Sequence, residues 1–190
     1  MKVTQKRKSR IASLALSLMG GTAALFMQAP AQAEVQGPDV SGAIYSAPED
    51  WTKSAQGPVT VFVSPEKDLS LAIVNIDSAP DARAAAAKAW AAYKPATDER
   101  AVRLVTPGAA GDGWDERAHI SYETSPTEKM VVSALVMRKD SEWTVMITDG
   151  ADTTANKRYA ALSIMEQSLR PAGYKPETFA GKTAHRLTPE

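Results

Sequence analysis

The chain has no cysteine in 190 residues. That excludes disulfides, thiolate metal centres, a cysteine nucleophile and a lipoprotein anchor, whose lipid is carried on a Cys. Stability must come from an ordinary hydrophobic core. Histidine is nearly as scarce: the two copies, His119 and His185, are far apart in sequence, and neither has a second ligand at metal-binding spacing. No metal site is expected, and nothing calls for a cofactor. Neither G-x-x-x-x-G-K nor G-x-G-x-x-G occurs, so no phosphate loop is present. After the first thirty or so residues no second long apolar run follows, so the remainder is not expected to span a membrane.

What is present begins with an export signal over residues 1–33. A basic stretch (Lys2, Lys6, Arg7, Lys8, Arg10) precedes an apolar stretch from Ile11 to Met27, and Ala31-Gln32-Ala33 supplies the small side chains that signal peptidase requires. The apolar stretch is shorter than the roughly 20 residues of a membrane span, which favours cleavage over anchoring. Cleavage is expected after Ala33, at the signature formed by Ala31 and Ala33. No adjacent arginine pair occurs, so the general secretion route is expected. Contact with the membrane is then transient, during export, and the destination is periplasmic or secreted.

Removing the signal changes the charge balance. The chain has 22 basic and 22 acidic residues; taking away the five signal cations leaves 17 basic residues (22 − 5) against 22 acidic, a net charge of −5. A mildly acidic domain has no electrostatic footprint for nucleic acid. The residues that remain suit a single domain.

Residues 34–42, with Gly37-Pro38 and little apolar content, read as a flexible arm. A domain is expected over 43–171. Ala43 to Ser46 reads as a short strand. Val59 to Val63 and Leu69 to Ile76 read as a hairpin of alternating, β-branched strands. Asp81 to Tyr93 is alanine-rich and reads as a helix with Ser78 as its cap. Ala101 to Thr106, Trp114 to Glu123, Lys129 to Arg138 and Glu142 to Thr148 read as strands, the last three as an antiparallel meander. In Trp114 to Glu123 the alternation places Trp114, Ala118, Ile120 and Tyr122 on one face, Arg117 and His119 on the other. A second helix is expected from about Thr154 to Leu169, ended by Pro171-Ala172-Gly173. Residues 172–190 have no periodicity and read as a linker. The fold class is α+β: an antiparallel sheet of about five to seven strands packed by two helices, with Trp90, Tyr93 and Tyr159 turned toward the sheet. Trp51, Trp90 and Trp143 read as core anchors.

Two features bear on chemistry. Ser64-Pro65-Glu66-Lys67 matches S-x-x-K, in which a lysine amine activates a serine nucleophile. That arrangement needs a helix opening, where residues three apart share a face; here the motif lies between two strands, and neither Y-x-N nor S-x-N follows downstream. A hairpin turn is the better reading, and no catalytic residue is expected. Asp112 to Arg117 is the densest polar cluster, reached through a Gly-rich loop. Trp114, Arg117 and His119 are the ligand-binding candidates there, set against a plain loop whose tryptophan enters the core.

The run Ala47-Pro48-Glu49-Asp50-Trp51, the hairpin, the helix with Ala89-Trp90, the segment Gly113-Trp114-Asp115-Glu116 and Ser168-Leu169-Arg170-Pro171 resemble the amino-terminal accessory domain of exported β-lactamase-class serine hydrolases. In strand and helix order that domain resembles the PsbP-like α/β sandwich. The resemblance implies a non-catalytic accessory domain whose partner is a serine hydrolase catalytic domain acting on cell-wall peptides or β-lactams. Phe179 to His185 is similar to the junction that precedes the catalytic domain in such hydrolases, and no family catalytic residue has a counterpart here. Two alternatives stand beside it: a self-standing periplasmic binding module for a ligand or protein, and a small serine hydrolase using Ser64 and Lys67.

Overall fold

The computed structural model describes residues 34–36, 42–96, 100–176, 178–179 and 182–183. The expected signal peptide, with Ala31 and Ala33, lies outside the described residues, as does His185. All described residues belong to one unit, Ala31–Glu190.

Within the segment read as an arm, Glu34–Gln36 forms a strand, β1, that pairs antiparallel with β2 (Ala43–Ala47). Then come β3 (Thr52–Gln56), β4 (Val59–Val63) and β5 (Leu69–Ile76), followed by α1 (Ala82–Tyr93). The meander follows as β6 (Val102–Gly108), β7 (Glu116–Tyr122), β8 (Met130–Lys139) and β9 (Glu142–Ala151). The chain closes with α2 (Asp152–Lys157), α3 (Tyr159–Ser168), β10 (Arg170–Pro171) and a small hairpin of β11 (Thr178–Phe179) with β12 (Lys182–Thr183).

Seven strands make the main antiparallel sheet, in the order β3-β4-β5-β9-β8-β7-β6. Period-two alternation along these strands sends side chains to two separate cores. On one face, Val74, Ile120, Val136, Val145 and Ile147 pack under α1, whose Ala85, Ala86 and Ala89 let the helix lie close to the sheet. On the other, Phe62, Leu71, Ile73, Met137 and Met146 meet Tyr45 of β2, Met165 of α3 and Leu169. The layers are therefore helix, sheet, then a mixed cover of short strands and helices.

Several local expectations change. Asp81, not Ser78, caps α1, accepting a hydrogen bond from the Ala84 N–H at 2.9 Å. β3 is fully exposed and polar (Thr-Lys-Ser-Ala-Gln), so it has no apolar period to announce it; register with β4 makes it a strand. The expected single C-terminal helix breaks at Arg158, giving three helices in the described residues rather than two. The cause is a tether: the Arg158 guanidinium donates to both carboxylate oxygens of Glu66 in the β4–β5 turn and to Asp50 at 2.7 Å. Rotating α3 about this break leaves Tyr159 70% exposed, while Met165 and Leu169 are buried.

Candidate functional site

Trp114 does not continue the face of β7. Ala118, Ile120 and Tyr122 belong to the core under α1, whereas Trp114 belongs to the opposite core. The reversal arises where the chain bends at Asp115, between Trp114 and the start of β7; in the turn before it Asp112 and Gly113 both have left-handed backbones, at φ 56° and 88°. Only glycine fits at 113, since a Cβ there would stand 2.6 Å from the Tyr174 ring and 2.9 Å from Pro171. Trp114 is buried, and its indole N–H donates to the Leu169 carbonyl at 3.2 Å. The loop before β7 is thereby sewn to the chain leaving α3.

Beside this seam lies a cleft of about 310 Å³, lined among others by Trp114, Pro171, Asn75, Thr144, Lys139 and Glu142. Its rim is the β8–β9 turn. Asp115 holds that turn, accepting from the Asp140 N–H at 2.7 Å and from the Lys139 ammonium at 3.2 Å. The Asp140 N–H, then Lys139, keep the Asp115 carboxyl below its ordinary range. Inside, Asn75 and Thr144 are direct cross-strand partners, and the Thr144 hydroxyl donates to the Asn75 carbonyl oxygen at 3.5 Å. With that oxygen engaged, the Asn75 amide N–H₂ is the group left to offer to a guest. An aromatic wall, an amide donor, an ammonium and a carboxylate fit a small polar molecule.

Of the three sequence candidates, only Trp114 lines this cleft. Arg117 and His119 share the opposite face of β7 from Ala118 and Ile120, two residues apart. Arg117 pairs with Asp112 at 3.4 Å, and His119 is exposed. Asn75, Thr144, Lys139 and Glu142 were not singled out in sequence. Asn75 and Thr144 did leave a trace there, as polar residues inside otherwise apolar strands.

Ser64 and Lys67 do not open a helix. Ser64 and Lys67 lie in the β4–β5 turn, where the Lys67 N–H donates to the Ser64 carbonyl at 2.9 Å and Lys67 is left-handed at φ 66°. Ser64 is buried, and its hydroxyl has no hydrogen-bond partner among the described residues. A serine nucleophile must be reachable by substrate and by its base. No group of His, Asp and Glu side chains able to hold a metal occurs among the described residues, and no described helix is long and apolar enough to cross a membrane.

Comparison with solved structures places the architecture. Over 80% of this chain and 98% of the other, it superposes on the solution structure of cyanobacterial PsbP (CyanoP) from Synechocystis, with a TM-score of 0.54 at 12% identity. The fold is PsbP-like. The Saccharomyces cerevisiae Ran-binding protein Mog1p also matches, over 75% of this chain and 97% of its own, at 8% identity and a TM-score of 0.49. No family model and no curated protein matches the sequence. At such identity the likeness concerns the PsbP-like architecture alone, and chemistry must be argued from the side chains.

Proposed function

We propose that this PsbP-like chain is an exported, non-catalytic binding module whose working surface is the cleft between Trp114, the β8–β9 turn and Pro171. The cleft itself carries this reading: buried Trp114 and the cross-strand pair Asn75 and Thr144 present an aromatic wall and an amide donor to a space of about 310 Å³. Its volume is at the low end of ligand sites, so the guest is a small polar molecule or one residue of a peptide.

The test is titration of tryptophan fluorescence with soluble muropeptides. Saturable quenching is expected. It should weaken at least tenfold in Asn75→Ala, which leaves every tryptophan in place. A flat titration, or unchanged affinity in Asn75→Ala, would rule out the cleft as the site for this class. Cell fractionation checks export: the protein should appear in the periplasm about 33 residues shorter than its gene encodes.

A second reading, an accessory domain for a β-lactamase-class serine hydrolase, is favoured by one contact. Two segments that carry the sequence resemblance, Gly113 to Glu116 and Ser168 to Pro171, meet through the Trp114 to Leu169 hydrogen bond and the packing of Gly113 beneath Pro171. A shared corner of this kind is suited to seat a partner domain. Calorimetric titration against a purified β-lactamase-class hydrolase of the same organism tests it; binding that survives muropeptide saturation of the cleft would separate partner contact from ligand binding.

A further inference from the structure

The sheet face that buries Ile73, Met137 and Met146 turns polar where it reaches the cleft. Alternation continues that face from Ile73 to Asn75 on β5, from Met137 to Lys139 on β8, and from Met146 through Thr144 to Glu142 on β9. All four polar residues line the cleft together with Trp114. Lys139 and Glu142 close the β8–β9 hairpin as direct cross-strand partners.

The charges at this end are unequally spent. The Lys139 ammonium lies 3.2 Å from the Asp115 carboxylate and 3.8 Å from that of Asp140. Although Glu142 stands opposite Lys139, among the described residues its carboxylate has neither an ion pair nor a side-chain hydrogen bond. The cation of the rim is thus neutralised, and the carboxylate of the cleft is left over. That excess of negative charge repels an anionic guest and attracts a cationic one, and an indole wall favours a cation as well. Glu142 is also the diagonal neighbour of Asn75 across the β5–β9 ladder, since Asn75 faces Thr144 and Glu142 lies two residues before it. Diagonal neighbours are roughly 7–8 Å apart, so a guest that satisfies both carries its cation several bonds from the oxygen that accepts the Asn75 N–H₂.

We propose that the cleft selects a guest bearing an ammonium group, with the Glu142 carboxylate as its counter-ion and Asn75 donating to a carbonyl oxygen farther along the same guest. This rests on the reading of the cleft as a binding site and names its ligand class. The class is the side-chain amine of a lysine-like residue, not the α-amine of a chain end, whose charge lies too close to its own carbonyl to reach both groups. Glu142 then determines specificity, while Trp114 and the Asn75–Thr144 pair shape the space.

Calorimetry on the purified protein at low salt compares Nα-acetyllysinamide, its neutral counterpart Nα,Nε-diacetyllysinamide, and alaninamide, whose only charge is an α-ammonium. The first should bind most tightly. Its affinity should fall about fivefold in Glu142→Gln, the upper range for one charge pair at an exposed site. It should fall in Asn75→Ala too, while the neutral probe binds the parent and Glu142→Gln alike. Salt at about 0.5 M should narrow the gap between the first two probes. Glu142 has no ion pair to lose, so Glu142→Gln should keep the parent's thermal midpoint. Unchanged binding of Nα-acetyllysinamide in Glu142→Gln, or equal binding of the amine and its acetylated form, would overturn the proposal; the cleft reading outlives that result if Asn75→Ala still weakens muropeptide binding. Alaninamide binding as tightly as the lysine derivative would overturn it as well. So would a Glu142 effect without an Asn75 effect, which puts the amine outside the cleft. Flat titrations with all of these probes and with muropeptides would remove both readings together.

Discussion

The Trp114 indole N–H and the Leu169 carbonyl oxygen, 3.2 Å apart, join the loop before β7 to the end of α3 across 55 residues of sequence. The same oxygen accepts a second hydrogen bond, from Arg170 Nη1 at 2.8 Å. Removing the indole donor therefore does not orphan the carbonyl. Trp114→Phe loses one hydrogen bond and part of the ring, and should cost about 1–3 kcal/mol. Trp114→Ala empties a packed core position and should cost about 3–5 kcal/mol. Urea denaturation of both variants checks the contrast: near-equal losses would mean that the hydrogen bond, and not packing, holds the corner.

Two glycines separate steric from conformational need. At Gly150, a Cβ would be driven into the Asp68 carbonyl oxygen and the Leu69 Cα, both backbone atoms that cannot step aside. Gly150→Ala should destabilise by about 3 kcal/mol. Gly57, in the β3–β4 turn, is left-handed at φ 56° but has nothing within 4 Å of its would-be Cβ. Gly57→Ala should cost only the left-handed penalty, about 1 kcal/mol. Thermal or urea midpoints decide, and a Gly57 variant as damaged as the Gly150 one would contradict the account.

Much of the scaffold was legible because alternation marks a strand with one buried face and a continuous apolar run marks one buried on both. The hairpin of β4 and β5 and the meander of β7, β8 and β9 follow from these two patterns, and α1 from its run of alanines. The break at Arg158 was not legible, because nothing in the local run from Thr154 to Leu169 reveals that Glu66, 92 residues earlier, will seize the guanidinium. Trp114 fails for a related reason. Alternation assumes a straight strand, and the bend at Asp115 breaks it, so that the Trp114 indole enters the other core. Among the candidate site residues, Trp114 could be found from composition. Its cleft partners Asn75 and Thr144 could not, since pairing across β5 and β9 is what sets them together.

Arg158 also gives stability a pH dependence. Its hydrogen bonds, followed by that of Lys157, lower the Glu66 carboxyl from 4.5 to about 2. A carboxylate whose folded pKa lies below its unfolded one stabilises the fold above the unfolded value, and that contribution drains away as pH falls from roughly 5 toward 2. Asp115 and Glu128 are lowered as well and act in the same direction. At the alkaline end the sign reverses for Lys94. Burial works to lower its ammonium, but its hydrogen bond and charge pairing with Asp149 leave it raised, so its contribution fades as pH climbs through that value. Urea midpoints measured from pH 7 to 3 should fall steadily for the parent and less steeply for Glu66→Gln; parallel slopes would deny Glu66 this role.

Ser64 permits two separate tests, one of stability, where substitution should help rather than harm, and one of catalysis. Its hydroxyl is buried, 2% of the residue being exposed, and has no hydrogen-bond partner among the described residues. A buried hydroxyl that has left water without finding a partner costs about 1–3 kcal/mol, and alanine removes it while leaving only a small void. Ser64→Ala should therefore be neutral or stabilising by up to about 1 kcal/mol. A nucleophile behaves otherwise: it would carry a covalent adduct after exposure to a fluorescent penicillin, and the alanine variant would lose it. Mass spectrometry of the parent protein is expected to show no adduct. An acyl group on Ser64 would make the serine a working residue and require the β4–β5 turn to open, whereas a destabilised Ser64→Ala would mean that the hydroxyl has a structural partner.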